Sequence, residues 1–191
     1  MKQLLVLIAF QILSFTGFCQ LTLTKTDGGS VVTKLEGSLK VNDGSSLRRD
    51  YITINDPTCP LQLNTIGVET SYRDPGYVFK PSGTFQVTEP IVAYEVHHVL
   101  YDVFGEHMKT LSNQEVIDVE GKGTFSVYST WYASEDNVEG YLICVSYVAN
   151  VRTKSGKIWR YSYRDIKGQL DKLKIVFEEG YAPKKNSDKE K

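Results

Sequence analysis

The side chains best suited to proton or metal chemistry are three histidines, His97, His98 and His107. His97 and His98 are neighbours in a stretch, Ile91 to Tyr101, that reads as a strand. Their imidazoles therefore point to opposite faces and cannot share one metal ion. His107 follows a turn at Asp102-Val103-Phe104-Gly105 and could approach one of them, with Glu95 or Glu106 as a stray carboxylate. The plainer expectation is three surface or half-buried strand histidines, with no metal and no cofactor. Neither Cys59 nor Cys144 has a histidine close in sequence that would activate its thiol. The chain contains no Gly-x-Ser-x-Gly elbow, His-Glu-x-x-His pair, phosphate loop or dinucleotide fingerprint. Glu135/Asp136 and Glu178/Glu179 read as solvated loop and helix-end charges. The expectation is a protein that is not an enzyme; the alternative is a small exported enzyme with a site assembled from separate strands.

Aromatic residues offer a second kind of chemistry. Trp159, Tyr161 and Tyr163 alternate onto one face of a short strand, and Tyr128 and Tyr132 share another face, opposite Phe125 and Trp131. Flat aromatic faces bind the apolar faces of sugar rings, and Tyr and Trp are also common in protein interfaces. These five residues are the candidate ligand-binding set. The competing reading makes Trp159, Tyr161 and Tyr163 core, covered by an amphipathic helix that follows them directly.

The beginning of the chain bears on the compartment. Lys2 is the one charge before an apolar run from Leu4 to Phe10, and no further charge appears until Lys25. That is the pattern of a secretory signal, with cleavage expected after Cys19 and residues 1–19 removed. Gln11, Ser14 and Thr16 interrupt the run before it reaches the roughly 20 apolar residues of a membrane span. Bulky Phe18 stands where a lipoprotein signal wants a small residue, so lipidation of Cys19 is the lesser alternative. The expected location is secreted or periplasmic. There Cys59 and Cys144 could form a disulfide or remain two buried thiols.

The elements that must position these groups are strands. The 191 residues are 41% apolar and 12% aromatic, enough to build one packed domain. Lys and Arg number 22 against 23 Asp and Glu, which leaves no electrostatic footprint for nucleic acid. Period-two patterning with frequent turn signals predicts about seven short strands between positions 61 and 163. In the clearest run, Tyr141 to Arg152, the odd positions Tyr141, Ile143, Val145, Tyr147, Ala149 and Val151 make an apolar face throughout. Asp102 to Gly105 predicts a hairpin turn closed by a glycine in the left-handed region. Residues 20–57 form an N-terminal β leader or edge hairpin, 58–164 the sandwich, 165–180 an amphipathic helix capped by Asp165, and 181–191 a charged, disordered tail.

The segments Val92 to Val96, Leu100-Tyr101-Asp102-Val103-Phe104-Gly105-Glu106, the aromatic strand around Trp131, and Tyr147 to Trp159 resemble the immunoglobulin/fibronectin-type sandwiches of bacterial exported proteins. The similarity covers about positions 77–163, and it is carried by a hairpin and a strand pair. It implies a mainly β, immunoglobulin-like antiparallel sandwich serving as a binding or spacer module, without catalytic residues. The expected function is an exported, non-catalytic binding or assembly module engaging a protein or glycan of the cell envelope. The further alternative is a structural subunit that pairs with its neighbours through its N-terminal strands.

Overall fold

The computed structural model describes residues 21–25, 30–40, 44–64, 66–73, 76–121, 123–126, 130–133 and 140–181. The segment expected as a signal, positions 1–19, lies outside them, as do Tyr128, the side chain of Tyr132 and the tail after Tyr181. In chain order the strands are β1 (Leu21–Lys25), β2 (Val31–Lys40), β3 (Ser46–Asn55), β4 (Leu61–Leu63), β5 (Gly67–Arg73), β6 (Gly76–Ser82) and β7 (Thr84–Val87). Then come β8 (Ile91–Tyr101), β9 (His107–Val119), β10 (Gly123–Ser126), β11 (Trp131–Ala133), β12 (Ile143–Thr153) and β13 (Ile158–Arg160). One helix, α1 (Tyr163–Lys172), and a 3-10 turn at Glu179–Tyr181 follow. The protein is mainly β, with one short C-terminal helix.

The central sheet has the order β1-β2-β3-β12-β8-β9, and β13 pairs with β12 where β3 has ended. It is mixed, because β3 runs parallel to β12 from Asp50↔Ile143 to Ile54↔Tyr147. The expectation of a wholly antiparallel sandwich is corrected at this pair. The reason lies upstream of position 57. The strands β1, β2 and β3 make up one end of the central sheet, and β3 carries Ile52, Thr53 and Ile54 buried and pairs with β12. A strand buried on both faces needs neighbours on both edges, and β3 has them.

Two three-stranded sheets, β10-β7-β4 and β11-β6-β5, supply the rest, so the described residues of positions 61–163 hold ten strands where about seven were expected. Phe85, Val87, Leu61 and Leu63 from the first small sheet share a core cluster with Val96, Val145, Tyr147 and Val151. From the second, Val68 and Phe79 join Leu100, Leu111, Tyr141 and Cys144 in another. Val145 and Tyr147 are buried and Ile143 is half-buried, so that part of the predicted apolar row faces the interior; Tyr141, ahead of β12, is buried in the other cluster with Cys144 and Leu100.

The turn at β8–β9 forms as expected. Asp102 accepts the backbone N–H groups of Phe104 and Glu106 at 2.8 and 2.9 Å, and Gly105 takes φ +80°, a region costly for side chains with a Cβ.

The helix is shorter than expected. Its residues Ile166 and Leu170 are buried, but it ends at Leu173 in a Schellman arrangement: Ile175 N–H bonds to Leu170 O at 2.9 Å and Lys174 N–H to Asp171 O at 3.0 Å. Lys174 occupies the left-handed position at φ +60° without being glycine. Beyond it no regular element forms before Glu179, and Ile175 and Phe177 turn inward while Val176 turns out. The spacing of Leu173, Val176 and Phe177 imitated a helical stripe over a segment that alternates.

Candidate functional site

Four strands of the central sheet carry two rows of residues in register. Gln114 on β9 pairs with Glu95 on β8, Glu95 with Asn150 on β12, and Asn150 with Arg160 on β13. The second row runs Val116, Ala93, Arg152, Ile158 across the same strands. Together these eight residues line an open groove of about 480 Å³, with Val92, Tyr94 and Val151 completing it. That volume lies within the range of about 300–1,000 Å³ usual for ligand sites. Ala93 makes the depth, being the smallest side chain between Val116 and Arg152.

A bulge builds this face. Regular pairing after Val96↔Val148 would set Ala149 opposite Glu95; the register shifts there, and Asn150 takes the place. The shift inverts the alternation of β12. Val151 turns to the core with Trp159, and Asn150 and Arg152 come onto the face of Tyr147 and His97. The expected continuation of the odd-numbered row through Ala149 and Val151 therefore breaks at the bulge, because an inserted residue moves every following side chain to the other face.

Glu95 is held at three points. His97 Nε2 lies 2.9 Å from its Oε1, Ser112 Oγ donates to the same oxygen at 3.3 Å, and Asn150 Nδ2 donates to Oε2. His97 Nδ1 continues to the buried Tyr147 hydroxyl at 3.1 Å. Burial pushes the His97 pKa down, and the Glu95 hydrogen bond and charge oppose that. Tyr147 is itself covered by Phe177, whose ring meets it edge-on at 6.2 Å. This chain of polar groups runs from the groove, which Glu95 lines, to the core, where His97 and Tyr147 are buried.

The other histidines take up separate positions. His98 is fully buried on the opposite face, with Nδ1 2.8 Å from Ser146 Oγ and its ring edge-on to Trp131 at 5.5 Å. Burial pushes its pKa down to about 3. His107 is 2.9 Å from Thr110 Oγ1 and stacks on Tyr181 at 4.0 Å. Thus His97 and His98 do face opposite ways, and the carboxylate contact belongs to His97, which the sequence did not single out. The signal was present: positions 95 and 97 of one strand share a face. Among the described residues no cluster of three His, Cys, Asp or Glu could hold a metal ion.

The aromatic set is dispersed. Trp159 and Tyr161 are each 9% exposed and belong to the core; Trp159 Nε1 donates to Thr58 Oγ1 at 3.1 Å, and the Tyr161 hydroxyl lies 3.1 Å from Ser30 Oγ. Tyr163 does not continue their strand, since β13 ends at Arg160 and Tyr163 opens α1, stacked on Phe177 at 5.4 Å. The expected flat platform is therefore replaced by interior packing, Trp159 edge-on to Tyr161 at 5.5 Å and Tyr161 edge-on to Tyr147 at 6.1 Å. Tyr132 lies on β11 by its backbone. Cys59 and Cys144 are both free and buried in different core clusters, so the disulfide alternative is corrected in favour of two thiols. Desolvation raises each thiol pKa to about 12.

Among the described residues no helix is long and apolar enough to cross a membrane. No family model matches the sequence, and no curated protein does. Among solved structures, the chain is similar to a DUF1425 family member from Shewanella sp. pv-4, at 13% identity over 66% of this chain and 94% of that one, with a TM-score of 0.31.

Proposed function

We propose that this chain is an exported, non-catalytic binding module of the cell envelope that holds a protein partner on the open end of its central sheet. The observation that carries this is the unequal cover of one sheet face. Around Tyr147 the face lies under Phe177, whereas at the groove Val116 is 86% exposed and Ile158 46%. Exposed aliphatic side chains rimmed by polar ones mark interaction surfaces. The burial of Trp159 and Tyr161 favours a protein over a glycan, because a sugar ring needs an accessible aromatic face. Export is supported by the charge-free apolar run from Leu4 to Phe10. The immunoglobulin-like resemblance of positions 77–163 agrees with a module of this kind.

A photo-crosslinking side chain placed at position 116 or 158 in the intact cell tests the idea, with position 104 as control. Phe104 is 85% exposed but sits on the β8–β9 turn, outside the groove. An adduct with one envelope protein from 116 and 158, and none from 104, is expected. Equal labelling from all three positions, or adducts with glycan alone, would overturn it.

A further inference from the structure

We propose that the groove takes an extended acidic segment of the partner protein, a glutamate or aspartate side chain seated between Arg152 and Arg160 with an aliphatic neighbour over Ala93. This deepens the function proposed above and rests on the groove being the docking face.

The charges on this face do not balance. Arg160 pairs in register with Asn150, and Arg152 stands two residues farther along β12 on the same face, so the two guanidiniums are diagonal neighbours. Like charges so placed repel. Both arginines are exposed, and among the described residues no carboxylate forms an ion pair with either. The carboxylate one position along the row, Glu95, is turned to Asn150, His97 and Ser112, and Asn150 stands between it and Arg160. Lys154 at the hairpin end is already matched by Asp118 and Glu120. Two guanidiniums converging on one anion match a carboxylate, which accepts from both at once.

Shape decides what carries that carboxylate. Four strands in register span three inter-strand spacings, about 14 Å, the reach of roughly four extended residues. Ala93 is smaller than its row neighbours Val116 and Arg152, with Ile158 beyond Arg152, leaving room for one aliphatic side chain over Ala93. Tyr94 lines the groove but is 2% exposed, so an acidic sugar finds no ring to stack on. The chain's own positions 182–191, with four lysines against Asp188 and Glu190, have the wrong sign for a site of two arginines.

The test is an NMR titration of the 15N-labelled mature protein with a capped pentapeptide of alternating valine and glutamate. The comparison probes are the same peptide with glutamine for glutamate, and a glucuronate disaccharide. Amide shifts at Ala93, Val116, Arg152 and Ile158 are expected with the acidic peptide, weakened about tenfold or more with the glutamine peptide and in Arg152→Gln or Arg160→Gln protein. Equal binding of both peptides, unchanged affinity in the arginine variants, or binding of the disaccharide alone overturns the proposal. Crosslinking from position 116 in the Arg152→Gln/Arg160→Gln protein separates the two failures. If the adduct persists, the face docks a protein that is not acidic; if the unaltered protein gives none, the docking face itself is wrong.

Discussion

Glu95 and His97 lie two residues apart on β8, with Glu95 Oε1 2.9 Å from His97 Nε2. The pair joins the two halves of one sheet face. His97 reaches inward to the Tyr147 hydroxyl under Phe177, and Glu95 reaches outward to the groove through Asn150. A change at the groove therefore has a direct electrostatic route to a buried imidazole.

In Glu95→Gln the charge and hydrogen bond that hold the His97 pKa up are removed, and desolvation is left to act alone. The His97 imidazole should then titrate at lower pH than in the unaltered protein. Imidazole chemical shifts followed from pH 8 to 4 measure this directly. An unchanged His97 value would show that the contact with Glu95 is not made in solution.

His98 should make the protein sensitive to mild acid. Its folded value of about 3 lies below the ordinary 6.5, so between those two values the unfolded chain binds the extra proton. Stability is then held above about pH 6.5 and lost as pH falls, at up to about 1.4 kcal/mol per pH unit. His97, also shifted down, acts with the same sign. Urea unfolding at pH 6 and pH 5 should show this slope, reduced in His98→Gln. An identical slope in the variant would mean that His98 is charged or exposed.

The two thiols should be present as thiols and slow to react. Cys59 and Cys144 are buried, and the thiolate form is suppressed by pKa values of about 12. Iodoacetamide at pH 8 should leave both unmodified in the folded protein and label both in guanidinium chloride without a reducing agent. Two labels appearing only after reduction would reveal a disulfide.

Lys174 holds a left-handed conformation that costs a residue with a Cβ roughly 1 kcal/mol. Lys174→Gly should therefore stabilise the protein by about 0.5–1 kcal/mol, as a higher urea midpoint at unchanged slope. The gain should vanish if Leu170 O and Asp171 O are not accepting the bonds that close α1. A loss of stability would show that the helix ends elsewhere.

Local patterns that extend over a few residues were legible in the chain. Asp102 to Gly105 reads as its turn because a carboxylate and a glycine do their work within four residues. The inward row Ile143, Val145, Tyr147 reads from alternation, and the opposed imidazoles of His97 and His98 from the same rule. The candidate site was less legible. Glu95 beside His97 could be found from spacing, but the expected platform of Trp159, Tyr161 and Tyr163 could not be told from core. Period two places residues on a face without saying what covers that face.

By itself the sequence determined the β character, the main turns and the interior row of β12, since each depends on side-chain period and backbone preference within a single segment. Tertiary structure alone decided that β3 enters the sheet parallel to β12, that α1 stops at Leu173, and that Asn150 and Arg152 cross to the face of His97. Those outcomes depend on partners up to about a hundred positions away and on one inserted residue in a ladder. Register is an energy of the pair, so neither strand encodes it alone.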